Sequence, residues 1–149
     1  MTHVERRNTM GKLRTRAALS AAAVILAGVG TGVLTAAPAN AASTCSGTYK
    51  HEDRSGRIAT MPSTGSYGCM MRNGDSSDAV KALQMALRHC YGQNISVDGQ
   101  FGPRTESALK YAQREAGASA DGIYGPDTRS KIKWPYWAEA VPTCHKYGV

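Results

Sequence analysis

"VDGQFGPRTESALK", residues 97–110, returns twenty-three residues later as "ADGIYGPDTRSKIK", residues 120–133. Seven of the fourteen positions are identical: Asp98/Asp121, Gly99/Gly122, Gly102/Gly125, Pro103/Pro126, Thr105/Thr128, Ser107/Ser130 and Lys110/Lys133. Phe101 answers Tyr124, and Leu109 answers Ile132. Asp-Gly makes a tight turn, because Gly accepts positive φ and the Asp carboxylate bonds backbone amides ahead of it. The aromatic that follows is placed to plug a core beneath the turn. Gly-Pro then opens a helix, since Pro has a helical φ and its missing amide hydrogen would have had no partner in the first turn. Thr105 and Thr128 fall where a hydroxyl bonds within that turn. The phrase is a loop-plus-helix cassette used twice, and neither copy can bury its apolar side alone.

Around the cassettes a third helix is legible. "GDSSDAVKALQMALRHCYG" carries Val80, Leu83 and Leu87 at i, i+3 and i+7, with Ala79 and Ala86 beside them. Gly74-Asp75-Ser76 supplies capping oxygens, Asp78 sits where the helix dipole favours a carboxylate, and Gly92 stops the run. The second helix is expected from Pro103 to Glu115, with Ala108, Leu109 and Ala112 inward and Gly117 as its break. The third runs from Pro126 to about Lys133, ended by Trp134-Pro135. The expected fold class is therefore mainly α, a three-helix bundle of two similar loop–helix units and one leading helix. Residues 42–69 read as an extended arm, 70–134 as the domain and 135–149 as a C-terminal tail.

The chain begins differently. Residues 1–16 hold five Lys/Arg against one Glu, followed by the apolar run "AALSAAAVILAGVGTGVL" and then "TAAPANA". A basic head, an apolar middle and the small-x-small end Ala39-Asn40-Ala41 form the pattern of a secretory signal peptide, expected at 1–41. A membrane anchor is the alternative, which the Ala/Gly-rich run and its cleavage-like end disfavour. Arg6-Arg7 lacks the apolar residues that follow a twin-arginine pair, and Met10 is a second candidate start. Of the chain's net charge of +7, the leader contributes +4, which leaves +3 on the remainder. No Lys/Arg run with interleaved aromatics remains there, so nucleic-acid binding is not expected, nor is stable membrane insertion once the signal is cleaved.

All four cysteines, Cys45, Cys69, Cys90 and Cys144, follow the leader. An even number in a small exported domain implies two disulfides with three connectivities. A helix over 76–89 is roughly 20 Å long at 1.5 Å per residue. The extended residues after Cys69 can cover about 23 Å. Cys69 can therefore lie back along the helix to reach Cys90, leaving Cys45–Cys144 to join the ends. His51-Glu52-Asp53 has no paired-ligand spacing and reads as a polar turn, and no metal or other cofactor is implied.

With these pieces in order, the chain resembles the peptidoglycan-binding domain family. The residues that carry the likeness are Gly74, Val80, Leu83, Gln84 and Leu87, then Asp98, Gly99, Phe101, Gly102, Thr105 and Ala108, then Asp121, Gly122, Gly125, Pro126 and Thr128. Two Asp-Gly cassettes, correctly spaced after a Val-x-x-Leu-Gln helix, make the pattern specific over residues 70–134. The sequence departs at Ala112, where the family often has Phe, and at Ala118, where Leu is usual. The resemblance implies a non-catalytic module that binds peptidoglycan, through its glycan strand or stem peptide, in the cell wall or outside the cell. Such modules commonly serve a wall hydrolase, which makes a hydrolase a second expected partner. A small hydrolase, or a protein-binding regulator of one, is the alternative.

Most motif residues build turns, and Gln84 and Gln113 are expected to tie helices to loops. Contact residues are better sought among side chains near the loops that suit the polymer: Arg for carboxylates, aromatic rings for sugar faces. On that chemistry Arg104, Tyr111, Tyr124 and Arg129 are the candidate ligand contacts. No catalytic residue is assigned, because His51, His89 and His145 are scattered and the cysteines are expected to be oxidised. Trp134 and Trp137 fit either a core or a binding platform.

Overall fold

A computed structural model describes residues 42–65 and 68–148. The signal peptide expected at residues 1–41 lies outside them. The element order is β1 (Gly47–Glu52), β2 (Ile58–Ser63), α1 (Asp78–Tyr91), α2 (Pro103–Ala116), α3 (Pro126–Lys131), β3 (Lys133–Tyr136) and β4 (Thr143–Lys146). Among the described residues no helix is long and apolar enough to cross a membrane.

Most helix ends fall where the sequence places them, but α1 is capped by Ser77 and not by the expected Gly74-Asp75-Ser76, and α3 stops at Lys131. Ser77 caps α1, its hydroxyl oxygen accepting from the Val80 amide at 3.3 Å while its proton goes to the Cys45 carbonyl at 3.0 Å. Gly92 closes α1 in the left-handed region. Pro103 and Pro126 open α2 and α3. The amides of Gly117 and Ala118 turn back to the Arg114 and Gln113 carbonyls, which caps α2.

The arm and tail correct the expected fold class. Each forms half or all of an antiparallel hairpin, so the molecule is α+β and not a three-helix bundle. β1 pairs with β2 from Gly47↔Ser63 to Glu52↔Ile58, and β3 pairs with β4 from Lys133↔Lys146 to Tyr136↔Thr143. Ile58 and Trp137 exchange backbone hydrogen bonds of 3.0 Å in both directions, which joins the two hairpins edge to edge. α1 packs more extensively on β2 and β3 than on α2. Ala59 and Met61 of β2 and Trp134 and Tyr136 of β3 alternate inward and meet Ala79, Val80, Leu83, Ala86 and Leu87 of α1. Each large apolar side chain buried there contributes about 2 kcal/mol. The strands were invisible to apolar periodicity because they are four to six residues long and Ser/Thr-rich or charged. The Trp134-Pro135 pair that was expected to end α3 instead lies inside β3.

The disulfide pairing is also corrected. Cys45 is bonded to Cys69, with Cα atoms 5.0 Å apart, and Cys90 to Cys144, 5.6 Å apart. The expected pairing treated the residues between Cys69 and α1 as a run free to stretch back along the helix. Instead, the β1–β2 hairpin brings the chain back on itself, and the Cys45 amide bonds the Met70 carbonyl at 3.0 Å, so Cys45 and Cys69 arrive side by side. β4 brings Cys144 to the end of α1.

Digestion without reduction should release linked peptides containing Cys45 with Cys69 and Cys90 with Cys144. With loops of 24 and 54 residues, loss of the first bridge should cost about 3.4 kcal/mol and loss of the second about 4.2 kcal/mol. Chemical denaturation of the two double Cys→Ala variants measures the order. A Cys69–Cys90 peptide would contradict the fold.

Candidate functional site

Both cassettes are held by the same device. In the first, the Gln84 amide nitrogen lies 2.9 Å from Asp98 Oδ1, 3.0 Å from the Gln100 carbonyl and 3.2 Å from Thr105 Oγ1. Its oxygen accepts from the Gly99 amide at 2.8 Å. In the second, the Gln113 nitrogen lies 2.9 Å from Asp121 Oδ1, 2.9 Å from the Ile123 carbonyl and 3.0 Å from Thr128 Oγ1. Its oxygen accepts from the Gly122 amide at 2.9 Å. Both glutamines are buried, at 1% and 0% exposure, so every polar group of theirs must find a protein partner. Thr105 and Thr128 close each clasp by donating to the same loop carbonyls that the glutamines reach.

The clasped turns require glycine. Gly99 and Gly122 have φ of +80° and +78°. A Cβ on Gly122 would come within 2.8 Å of Lys110 and Glu106 side-chain carbons, and one on Gly99 within 3.1 Å of the Ser77 carbonyl. Asp98 and Asp121 each accept from the amide two residues on at 2.9 Å. The Gln100 amide and then Gln84 hold the Asp98 carboxyl below the usual carboxylate range, against a weaker opposing effect of burial.

The expected ligand residues divide. Arg104 and Tyr111 share an open groove of about 600 Å³ along the outer face of α2, which Ser107, Ala108 and Arg114 continue and Asn94 and Ile95 face. Arg104 also lines a neighbouring hollow that reaches Gln84, Asp98 and Thr105 of the first clasp. Tyr124 is elsewhere: it is 1% exposed, with its ring edge-on to Trp134 at 6.1 Å. Burial pushes its phenol well above the ordinary range. Tyr124 is therefore a core plug, like Phe101 at 2% exposure. The Arg129 guanidinium lies over the Tyr147 ring at 4.6 Å and is not in the groove. Trp134 is core at 0% exposure. Its indole nitrogen donates to the Arg129 carbonyl at 3.0 Å. Trp137 is half-buried and edge-on to His89.

Arg114, which the sequence reading did not single out, lines the same groove: Arg104, Ser107, Tyr111 and Arg114 recur at the spacing of one helix face, on the polar side that a search for apolar stripes passes over.

One carboxylate–imidazole pair also forms. His145 Nε2 lies 3.1 Å from Asp53 Oδ2, and the imidazole stacks on Tyr136 at 3.8 Å. Asp53 further accepts from the Ser55 and Arg57 amides at 2.8 and 3.0 Å and pairs with the Arg57 guanidinium at 3.3 Å. Burial works to raise its pKa, but these partners together lower it. A carboxylate so saturated is a strut between the β1–β2 turn and β4. Among the described residues no group of three or more His, Cys, Asp or Glu side chains could hold a metal ion.

A domain of two glutamine-clasped loops beside a grooved helix is the class this geometry defines. Residues 76–132 match the family described as "Putative peptidoglycan binding domain", and this segment belongs to that family. Solved structures resemble parts of the chain. A peptidoglycan-binding protein from Clostridioides difficile, in complex with glutamine hydroxamate, is 32% identical over 54% of this chain and 53% of its own, with a TM-score of 0.43. A fused Zn-dependent amidase/peptidase/peptidoglycan-binding domain-containing protein from Clostridium acetobutylicum is 33% identical over 41% of this chain and 27% of its own (TM-score 0.39). The SleB N-terminal domain is 33% identical over 41% of this chain and 84% of its own (TM-score 0.40). The chain thus spans about half the length of the first of these and about a quarter of the second. No curated protein gives a significant match.

Gln84→Ala and Gln113→Ala should each lower the unfolding free energy by about 2–3 kcal/mol, because loop amides and carbonyls lose their buried partner. Urea midpoints measure this. The acid limb carries a second outcome. A carboxyl whose folded pKa is depressed stabilises fully above its unfolded value of about 3.9, and that stabilisation fades as pH falls through the folded value. Asp98→Asn keeps the acceptor oxygen and removes the titration. Its urea midpoint should fall less than that of the parent protein between pH 5 and pH 2.

Proposed function

We propose that the chain is an exported, non-catalytic protein that attaches to peptidoglycan through the groove along α2. The observation that carries this reading is the placement of Arg104, Tyr111 and Arg114 on one exposed helix face inside the family segment. Guanidinium groups offer paired donors to carboxylates and amide oxygens of a stem peptide, and the Tyr111 ring, 40% exposed, offers a face to a sugar. From Arg104 to Glu115 the helix rises roughly 16 Å, a length suited to a polymer and not to a single small molecule.

Export is supported by the leader-like residues 1–41 and by two disulfides, which persist in oxidising surroundings. The non-catalytic reading is supported by the state of the reactive groups. All four cysteines are bonded, and the Asp53–His145 pair is consumed by its own neighbours. Of the four contact residues drawn from the sequence, Arg104 and Tyr111 are retained, and Arg114 joins them. The buried Tyr124 shapes the core, and Arg129 braces Tyr147.

Sedimentation with insoluble peptidoglycan tests the proposal. The protein should pellet with the wall polymer at low salt, and Arg104→Ala with Tyr111→Ala should lower the apparent affinity by about tenfold, or about 1.4 kcal/mol, with an unchanged urea midpoint. Release of reducing ends or new amino groups from the wall suspension would contradict the non-catalytic part. Retention of the protein in the supernatant would contradict the binding part.

A further inference from the structure

The groove does not stop at the end of the family segment. Tyr111 lines both the groove along α2 and a second recess, of about 260 Å³, walled by Tyr91, Glu115, Lys131, Lys133 and Lys146. Two of those lysines belong to the β3–β4 hairpin, outside residues 76–132.

Their arrangement costs stability. Lys133 and Lys146 are direct cross-strand partners in a hairpin of only four pairs, and like charges placed opposite one another repel. Neither forms an ion pair among the described residues, whereas Lys131 is bridged to Asp127 at 2.9 Å. The disulfide Cys90–Cys144 fixes this hairpin to the end of α1, and the Lys133 amide donates to Tyr91 Oη at 2.7 Å. The two ammonium groups are therefore carried on an anchored frame at the end of the groove. Glu115 supplies one negative charge to the same recess, which leaves it positive.

We propose that this recess is a subsite for a carboxylate of the peptidoglycan stem peptide, held by Lys133 and Lys146. The inference rests on the reading that a wall strand lies in the α2 groove. A strand seated over Tyr111 projects its peptide branches to one side, and the adjoining recess is the place where an anionic branch meets unpaired cations. Sugars alone would leave the lysine pair unneutralised. A stem-peptide carboxylate relieves the repulsion and fills the recess in one contact.

Lys133→Gln with Lys146→Gln tests the subsite, using the protein with three materials: intact peptidoglycan, the same material after amidase removal of its stem peptides, and wall that retains phosphate-containing polymers. The variant should bind intact peptidoglycan about tenfold more weakly than the parent and with a flatter salt dependence. On stripped glycan the two should bind alike, and Lys133→Arg with Lys146→Arg should bind intact peptidoglycan like the parent. The urea midpoint of the Gln variant should rise, since a repulsion is removed, so weaker binding would not reflect unfolding.

Equal binding of variant and parent to intact peptidoglycan would overturn the subsite while leaving the groove reading in place. A loss seen only with phosphate-bearing wall would overturn the carboxylate assignment. Failure of the parent protein to bind any of the three would overturn both readings.

Discussion

A glutamine side chain is a peptide group on a tether, with an acceptor oxygen and two donor hydrogens. Gln84 and Gln113 use that identity to replace missing backbone pairing in two surface turns. Each reaches a carboxylate, a carbonyl and a hydroxyl through its nitrogen, and a glycine amide through its oxygen. The turns themselves are too short to form a sheet. Without the clasps the buried amides of Gly99 and Gly122 would lose their acceptors. With the clasps, the aromatic after each turn can be driven inward, and the proline that follows can start a helix in a fixed direction. α2 and α3 take their positions from this arrangement, and the outer face of α2 is the groove.

The clasps were legible as a repeat but not as a mechanism. Asp98/Asp121, Gly99/Gly122 and Thr105/Thr128 are spaced alike in the two cassettes, so their turn role followed from the sequence. The glutamines stand 14 residues before Asp98 and 8 before Asp121. That unequal offset conceals the equivalence of the two clasps from a search at fixed period, although both glutamines were expected to tie helices to loops and do so. Tyr124 illustrates the opposite failure. Its residue type suited a sugar, yet it occupies the slot of Phe101, and position in the repeat was the better guide than chemistry.

The hairpins were hidden for a different reason. β1 and β2 alternate only partly, and β4 consists of Thr143, Cys144, His145 and Lys146, none of which reads as a buried strand. Their stability comes from pairing and from contact with α1, both tertiary. The disulfide expectation failed with them, since chain reach says how far a segment can extend and not that it turns back. The same oversight concealed the lysine recess, because Lys133 and Lys146 meet only when β3 and β4 pair. Arg104 and Tyr111, both on one helix, needed no such event to line the same groove. Features carried by a single periodic element, and the glutamine ties beside the repeat, were readable in this chain. The hairpins and the disulfide pairing, which required distant segments to meet, were not.

Amide hydrogen exchange at Gly99 and Gly122 tests the central claim most directly. Both are buried glycines in short turns flanked by the exposed Asp98, Gln100 and Asp121, and both donate to buried glutamine oxygens. If the clasps hold the fold, these two amides should exchange as slowly as those of Leu83 and Leu87 in α1. Exchange at the rate of an open loop, with α1 still protected, would contradict it.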